Sequence, residues 1–556
     1  MIIDGLPAET DGAFPVVVVG AGPAGIVLAL ELRRRGVDVV LLAGGLDGFD
    51  ANFQALADAD IADPATHSEM HYAVRRALGG TSLLWGGRCV PFDDIDFAAR
   101  PQIGADGWPV DAAEIAPWYD QAMAYLDAGA NVFSVPLSPS PEPGDARFDR
   151  VERWSNGRNM RRLHAKALQE DSRLRVCLGA VATGFDIDPA SGRVTALRVA
   201  DRDGQRRRVP ARAFVLACGG LETTRLMLAA RLDRPLLFGG TAGVLGRYYM
   251  GHIEGRIAEI VFTSALPDTE FAFAIDQGGR YFRRRITIAA ETQQRDGLLN
   301  LSAWPDNPPL GDARHGSAIL SLACLALATP GLGALLAAEA IRRKHLKRGA
   351  LDVGGHLANI FRDLPQATRE AAKFLYGRFV AQPRIPGFFL LNKARRYTFL
   401  YHAEQAPNPA SAVTLAEQRD ALGMPRLRID LRFGEIDGQS VVASHRIIDA
   451  ELRRTGLGRL EYAYDENERV AQVLAQATDG FHQIGTTRMS TVPAMGVVDR
   501  DLRVHGTPNL YVASSSVFPT SSQANPTLLL AAFSARLAAH LAERLPDLAP
   551  PGSGSG

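Results

Sequence analysis

The chain has 556 residues, more than one domain usually contains, so two intertwined domains are expected. Hydrophobic residues make up 46% and charged residues 22%, which is ordinary for a soluble globular protein. With 61 basic and 61 acidic residues, the formal net charge of zero gives no global basic field, so no nucleic-acid partner is expected. The four cysteines lack metal-ligand or disulfide-framework spacing, and the acidic N-terminus lacks the pattern of a secretory signal. These features predict a cytoplasmic location.

The first predicted unit is a strand, a glycine-rich turn, a helix and a second strand. Pro15–Val19 is a β-branched run typical of a strand buried on both faces. It enters Gly20-Ala21-Gly22-Pro23-Ala24-Gly25, then an amphipathic helix over Ile26–Arg35 that Gly36 ends, then a second run, Val37–Leu42. Glycines in this context allow a pyrophosphate to approach a helix N-terminus, so the pattern predicts a dinucleotide site.

One position departs from that pattern. An acidic residue normally ends the second strand and binds the ribose hydroxyls, but Ala43 stands there. Either another group binds the ribose, with Asp47 and Asp50 the nearest candidates, or the cofactor is held less tightly.

Two further segments are rich in small residues. Gly79–Gly87 suggests backbone brought against a flat ligand, although an ordinary tight turn is the alternative. Val194–Val199 and Arg206–Val209, joined by an Asp203-Gly204 turn, predict a hairpin. The segment 213–224 then reads as a buried strand that enters a glycine turn and a helix.

The C-terminal part carries the candidate chemistry. His482 lies in Phe481–Met489, and Asn525 lies in Ala524-Asn525-Pro526-Thr527. Between them, Asn509–Val512 predicts a buried strand that runs into a serine-rich turn. A lone histidine is usually structural, so these residues alone do not define a site.

Together, these motifs resemble the glucose–methanol–choline (GMC) oxidoreductases, FAD-dependent enzymes that oxidise alcohols. The resemblance covers most of the chain in order, and the C-terminal motif is its most specific part. Trp85 and Ala524–Thr527 are closest in pattern to bacterial pyranose-oxidase-like members. Members that attach FAD covalently carry a histidine before that tryptophan. Leu84 stands there instead, so non-covalent FAD is expected.

The resemblance implies a fold of the α/β class that is α+β when the whole chain is considered. A Rossmann-like FAD-binding domain would carry an inserted substrate-binding domain built on a mostly antiparallel sheet with helices. The expected FAD-binding parts are 1–250, with substrate-domain excursions around 110–170, and 470–548. The substrate-binding domain would be 251–469, and 549–556 a flexible tail.

The resemblance also implies roles for particular residues. His482 falls at the catalytic base, and Asn525 at the second catalytic position, where its amide would hold the substrate oxygen. His252 and His505 are expected to be structural, and no metal ligands are expected. The implied FAD-binding residues are Gly20, Gly22, Pro23, Ala24, Gly25, Gly80, Thr81, Ser82, Trp85, Gly86, Gly87, Ala180, Val181, Cys218, Gly219, Ser514, Ser515, Asn525, Pro526 and Thr527.

The middle of the chain gives mixed signals. Short strands over Arg256–Phe262, Arg280–Ala289 and Leu298–Ala303 are expected to form a sheet over the flavin. Glu404 and Gln405 either line the substrate cavity or are structural polar residues. The apolar stretch Ser317–Ala340 is compatible with a pair of packed helices, with peripheral membrane contact through 317–348, or with a membrane span. A charged amphipathic helix is predicted over Arg362–Arg378.

The expected reaction is oxidation of a CH–OH group to a carbonyl. His482 would take the proton, flavin N5 would take the hydride, and the substrate would be a sugar, glycoside or other polyol. Oxidation of a lipophilic alcohol, an FAD-containing lyase and a non-catalytic flavin-fold protein are the alternatives. The electron acceptor, oxygen or a quinone, is left open.

Overall fold

The computed structural model describes residues 1–6, 13–157, 159–264, 269–329, 331–333, 351–387, 389–391 and 395–548. The fold is mixed α/β, with a Rossmann-like nucleotide-binding part. Its strands form sheets of eight, six, four and three strands. The expected tail 549–556 lies outside the described residues.

The eight-stranded sheet, here called the large sheet, carries the predicted nucleotide-binding unit. Val16, Val17 and Val18 are fully buried at its centre because layers pack on both faces. Phe14–Val19 pairs in parallel with Val39–Ala43 on one side and with Arg206–Leu216 on the other. Its strands, in spatial order, are Ile2–Asp4, Leu174–Leu178, Val39–Ala43, Phe14–Val19, Arg206–Leu216, Val194–Ala200 and Val181–Ile187, with Leu510–Val512 also paired to Arg206–Leu216.

Helices from the two ends of the chain cover this sheet. Thr527–Arg544 packs against both Pro23–Arg34 and Ala112–Tyr125, so the C-terminal segment completes the layer that the N-terminal segment begins. The predicted first helix and the predicted hairpin are both present. Further α-helices with described bounds are Ala51–Ala55, Met70–Ala73, Asp94–Phe97, Met160–Leu163, Ala165–Glu170, Gly220–Asp233, Ala290–Asp296, Ala318–Ala328, Val353–Arg362, Leu364–Leu375, Glu435–Arg454 and Arg469–Gln476.

The six-stranded sheet is antiparallel and has one apolar and one polar face. Its strands in order are Gly458–Tyr462, His252–Phe262, Arg396–Glu404, Leu301–Asp306, Ile286–Ile288 and Ala146–Arg147. Ile253, Tyr401 and Ala303 lie in a buried hydrophobic cluster on one face. Because side chains alternate along a strand, the residues between them face the other way. That opposite face, here called the polar face, carries His252 and His402.

Two smaller sheets complete the fold. The four-stranded sheet contains Ala274–Ile275, Tyr281–Arg284, Val151–Trp154 and Arg88–Cys89, and the three-stranded sheet contains Ala412–Arg419, Pro425–Asp430 and Ala59–Ile61. The stretch Arg280–Ala289 forms short strands, as expected, but they do not share one sheet. Its two halves join different sheets, and between them the backbone N–H of Arg285 donates to Arg150 while its buried side chain contacts Gln523.

The long apolar stretch forms a helix over Ala318–Ala328 that packs on Val353–Arg362 and Leu364–Leu375. Cys324 and Leu320 of this helix are buried. The expected second helix within Ser317–Ala340 falls largely outside the described residues, as do the basic residues 342–345. In the part of the chain that is described, no helix is both long and apolar enough to cross a membrane.

Candidate active site

The carboxyl ends of the parallel strands in the large sheet form one edge, and the glycine turns lie along it. At Gly20, φ is +109° and a Cβ would lie 2.4 Å from the Ala217 carbonyl oxygen. A Cβ on Gly80 would lie 2.7 Å from the Cα of Gly22, so the two glycine-rich segments touch through their backbones. Only glycine fits at these positions, and the turns leave a shallow backbone cradle.

The helix Pro23–Arg34 begins at this cradle with Gly22 as its cap. No side chain caps the helix, and its first turn contains no acidic residue. Its first amide groups therefore remain open to an anion, which the helix dipole also favours. These features fit the diphosphate of a dinucleotide.

The remaining predicted cofactor residues lie on turns and strand ends, and several of their polar groups bond to the protein itself. Ser82 Oγ donates to the Gly79 carbonyl at 2.6 Å, and Ser515 Oγ donates to the Gln483 carbonyl at 2.8 Å. Ser514 Oγ accepts from the Ser516 N–H at 3.2 Å, which caps a short 3-10 turn. Small size at these positions shapes the turns, while the hydroxyls mainly hold them in place.

His482 and Asn525 come together from two loops. Asn525 Nδ2 lies 3.1 Å from His482 Nε2. Phe481 has φ +60°, which a non-glycine residue rarely adopts. Gln483 accepts from the Leu221 N–H at 3.0 Å, so the His482 loop is tied to the start of the helix Gly220–Asp233. The pair therefore lies beside the nucleotide-binding edge.

Hydrogen bonds around His482 allow one arrangement of protons. The Ser521 carbonyl, 3.0 Å from His252 Nε2, can only accept, so that nitrogen carries hydrogen. The neutral His252 ring then has a lone pair on Nδ1, which lies 2.8 Å from His482 Nδ1. His482 must donate from Nδ1, which leaves its Nε2 as the lone-pair nitrogen beside Asn525. A base with a defined tautomer results.

A third imidazole, His402, stacks on His252 with ring centroids 4.3 Å apart and 16° between the planes. One nitrogen from each of His252, His402 and His482 lies within 4.8 Å of the others, a spacing that raises the question of a metal ion. An ion about 2.0–2.1 Å from each nitrogen would have to lie in the plane of every ring. Since the planes of His252 and His402 are nearly parallel, their lone pairs do not converge. The geometry favours the hydrogen-bonded chain.

All three histidines are neutral at physiological pH. Burial, together with His402 and Arg88, lowers the pKa of His482 to about 3. Burial and Arg88 lower the pKa of His402 to about 4, and burial with the two neighbouring rings puts the pKa of His252 well below its usual range. A neutral imidazole is the form that accepts a proton, so burial keeps the base ready.

Beyond the histidines, the polar face bears charged and aromatic groups. The register places Glu254 and Ser302 opposite His402 on its two neighbouring strands. The Arg88 guanidinium lies 4.4 Å from the centre of the Trp304 ring, and its Nη2 is buried with no hydrogen-bond partner among the described residues. The polar face therefore combines a buried aromatic ring with charged groups.

Sequence reasoning missed two residues of this site and left another pair open. His252 was expected to be structural and His402 was not considered, because only strand register shows that both face His482. Glu404 accepts from both terminal nitrogens of Arg100 at 2.7 Å, and Gln405 accepts from the Gly251 N–H, so both serve structure. His505 contacts the Ser490 carbonyl in a turn, away from His482.

Comparison with known proteins agrees with this geometry. Residues 13–44 match the family model described as FAD binding domain, and residues 407–534 match the model described as GMC oxidoreductase. The protein is an FAD-dependent oxidoreductase that acts on alcohols. Its C-terminal part, residues 407–534, is a GMC oxidoreductase domain.

Three curated relatives align over nearly the whole chain. Paromamine 6'-oxidase of Streptomyces fradiae is 23% identical over 95% of this chain and 91% of its own. The 2-methyl-1,2-propanediol dehydrogenase of Mycolicibacterium austroafricanum is 22% identical over 96% of both chains. The fructose dehydrogenase large subunit of Gluconobacter japonicus is 23% identical over 94% of this chain and 96% of its own.

Proposed function

We propose that this protein oxidises a CH–OH group of a sugar, glycoside or related polyol to a carbonyl, with His482 as the base. The observation that carries the proposal is the His482–Asn525 contact, in which His482 Nε2 has the lone pair and faces an amide donor. A substrate hydroxyl placed between the two side chains would donate to His482 and accept from Asn525.

In this mechanism the alcohol loses a proton and a hydride. FAD, when bound, supplies the acceptor for the hydride. His482 Nε2 takes the hydroxyl proton while its Nδ1–H remains bonded to His252 Nδ1, which stabilises the resulting imidazolium. Asn525 Nδ2 holds the substrate oxygen as negative charge develops there. Asn525 Oδ1, buried and without a partner in the described residues, remains free to accept from a neighbouring substrate hydroxyl.

A polyhydroxylated substrate is supported by the polar face. Arg88, Glu254 and His402 offer charged and polar groups close to His482. Sugars present many hydroxyls that donate and accept hydrogen bonds, so they match such a surface. Fructose and a vicinal diol also occur in the names of two aligned relatives.

FAD is proposed to be bound non-covalently, because Leu84 has no nucleophile with which to attach it. Acid precipitation of the protein should therefore release the flavin into the supernatant. Flavin that remains in the pellet would contradict this.

An anaerobic screen tests the substrate. Sugars, glycosides, short diols and long-chain alcohols are added to the protein, and bleaching of the flavin absorbance is followed. Bleaching by sugars or glycosides supports the proposal, and bleaching by long-chain alcohols alone would contradict the substrate class. Substrate conversion with the flavin still oxidised would indicate a lyase. Readmission of air, or addition of a quinone, then identifies the electron acceptor.

A lipophilic substrate reached at a membrane surface is the second candidate, and one observation favours it. The helices Val353–Arg362 and Leu364–Leu375, with the turn after them, expose Phe361 (74%), Tyr376 (62%) and Val380 (64%) beside basic residues. Apolar side chains with basic neighbours suit the headgroup region of an anionic membrane. Co-sedimentation with anionic vesicles that Phe361→Asp abolishes would support this contact, and no co-sedimentation would contradict it.

A further inference from the structure

The acid that usually binds the adenosine ribose is missing at the end of Val39–Ala43, and its nearest sequence neighbours are engaged elsewhere. Asp47 forms an ion pair with Arg161. Asp50 caps the helix Ala51–Ala55, accepting from the N–H groups of Asn52 at 2.9 Å and Phe53 at 3.1 Å. The Asp47 carboxylate is therefore paired with an arginine, and the Asp50 carboxylate is held at the start of a helix.

A different acid, Glu222, is connected to the end of Val39–Ala43 through Arg76. Glu222 lies in the first turn of the helix Gly220–Asp233, and its Oε2 is 3.2 Å from Nη1 of Arg76. Arg76 Nε in turn donates to the carbonyl of Gly44 at 3.2 Å, and Gly44 directly follows Ala43. The ion pair thus connects the ends of two strands that flank Phe14–Val19, where the glycine cradle begins.

Each member of this pair keeps one polar group free. Arg76 and Arg225 both approach Oε2 of Glu222, and within the described ranges Oε1 has no partner. Arg76 Nη2 also has no partner there, and it lies 3.0 Å from where a Cβ on Gly44 would be. The Glu222 and Arg76 side chains are 21% and 11% exposed, so both are partly accessible.

The charge state of Glu222 suits an acceptor. Burial alone would raise the pKa of Glu222, but Arg76 and Arg225 outweigh burial and lower it. The carboxylate is therefore ionised at neutral pH and can only accept hydrogen bonds, while the adjacent guanidinium can only donate. A ribose diol, which donates and accepts, complements this pair.

We propose that Glu222, held by Arg76, accepts hydrogen bonds from the adenosine ribose hydroxyls of FAD in place of the acid missing at Ala43. The assignment concerns cofactor binding and rests on FAD as the cofactor, not on the substrate or on His482. The residue that binds the ribose would thus lie in the first turn of the helix after Arg206–Leu216, and not at the end of Val39–Ala43.

The test measures binding instead of turnover. The full-length protein is freed of flavin, and dissociation constants are measured for FAD, ADP and 2′,3′-dideoxy-ADP. In the wild type, loss of the hydroxyls should weaken ADP binding about 10- to 100-fold, the range for hydrogen bonds to a charged group. In Glu222→Gln, FAD should bind at least about tenfold more weakly, and ADP and its dideoxy form should bind within about twofold of each other.

Asp420→Asn is the matched control. Asp420 pairs with Arg225 at the opposite end of the same network, so this variant disturbs the helix without touching the ribose position. It should keep the wild-type preference for ADP. A preference that survives in Glu222→Gln, or that is lost equally in Asp420→Asn, would overturn the proposal. If Glu222→Gln does not fold, the wild-type comparison decides alone: equal dissociation constants for ADP and 2′,3′-dideoxy-ADP would overturn the proposal.

Discussion

At the level of single residues, the hydrogen bonds of His482 determine which of its nitrogens can act. His252 occupies Nδ1, so Nε2 alone faces Asn525. Desolvation then keeps the ring neutral, as it does for the other two histidines of the cluster. The site therefore combines a fixed tautomer with a low proton affinity at rest.

This lowered pKa predicts an unusual pH dependence. Because the pKa of His482 is about 3, its lone pair persists well below the usual titration range of histidine. The rate constant of anaerobic flavin reduction should stay level from pH 8 to about pH 5 and fall only in stronger acid. Stopped-flow traces across this range measure it. An acidic limb centred near pH 6.5 would contradict the desolvated base.

His252 should act as a positioning residue through its Nδ1. In His252→Ala the Nδ1–H of His482 loses its acceptor, so the base loses its fixed tautomer, and flavin reduction should slow at least about tenfold. Substrate affinity should change little, because His252 contacts Nδ1 of His482, whereas the substrate would bind at Nε2. His252→Asn, which keeps an acceptor near the Nδ1 position, should recover part of the rate. Equal rates in the wild type and His252→Ala would contradict this role.

At the level of elements, the strand Arg396–Glu404 holds the polar face in place through a buried ion pair. Glu404 accepts from both terminal nitrogens of Arg100, and both side chains are fully buried. Arg100→Leu should leave the carboxylate unpaired and cost about 3–5 kcal/mol of unfolding free energy.

Arg396, on the same strand, pairs with Glu259 and Glu461 in an exposed setting, with 41% of its side chain accessible. Arg396→Ala should cost less than about 1 kcal/mol. Urea unfolding compares the two, and similar costs would contradict the distinction.

How far the sequence predicts an element depends on how local its determinants are. The unit Phe14–Ala43 was predicted because hydrophobic periodicity and glycine spacing are both read within a short window. The strands within Arg280–Ala289 were expected in one sheet but lie in two, because they pair with Val151–Trp154 and Leu301–Asp306, which are distant in the chain. Hydrophobic periodicity identifies a strand, but it does not show with which other strand that strand pairs.

The same limit explains the site. His482 and Asn525 were predicted through a motif resemblance, and their contact at 3.1 Å fits it. His252 and His402 meet them only because two strands pair in one register, which no local pattern encodes. Glu222 was overlooked as a cofactor ligand because the usual acid was sought next to Ala43, whereas this one comes from another strand–helix unit.

At the level of the whole molecule, buried neutral histidines make folding sensitive to acid. Burial lowers the pKa of His445, which packs against the six-stranded sheet, to about 4, much as for the three histidines of the site. In the unfolded chain such a ring binds a proton below about pH 6.5, whereas the folded form does not. Folded-state stability is therefore lost as pH falls from 6.5 towards 4.

His445→Phe isolates one such contribution. His445 packs edge-on against Phe399 and Tyr401, so an aromatic replacement suits the site. The unfolding free energy of the variant relative to the wild type should increase by about 1.4 kcal/mol for each pH unit from 6.5 down to 4.5. Urea titrations at both pH values measure the difference. A difference that does not change with pH would show that His445 protonates normally in the folded state.

The central claim is that His482 removes the substrate proton in a site assembled around FAD. Anaerobic stopped-flow measurement of flavin reduction by the best alcohol from the screen, in the wild type and in His482→Ala with equal FAD content, tests it most directly. The rate constant should be lower by about 10²–10⁴-fold in the variant, the usual contribution of a positioned base. A reduction rate unchanged by the substitution would contradict the assignment of His482.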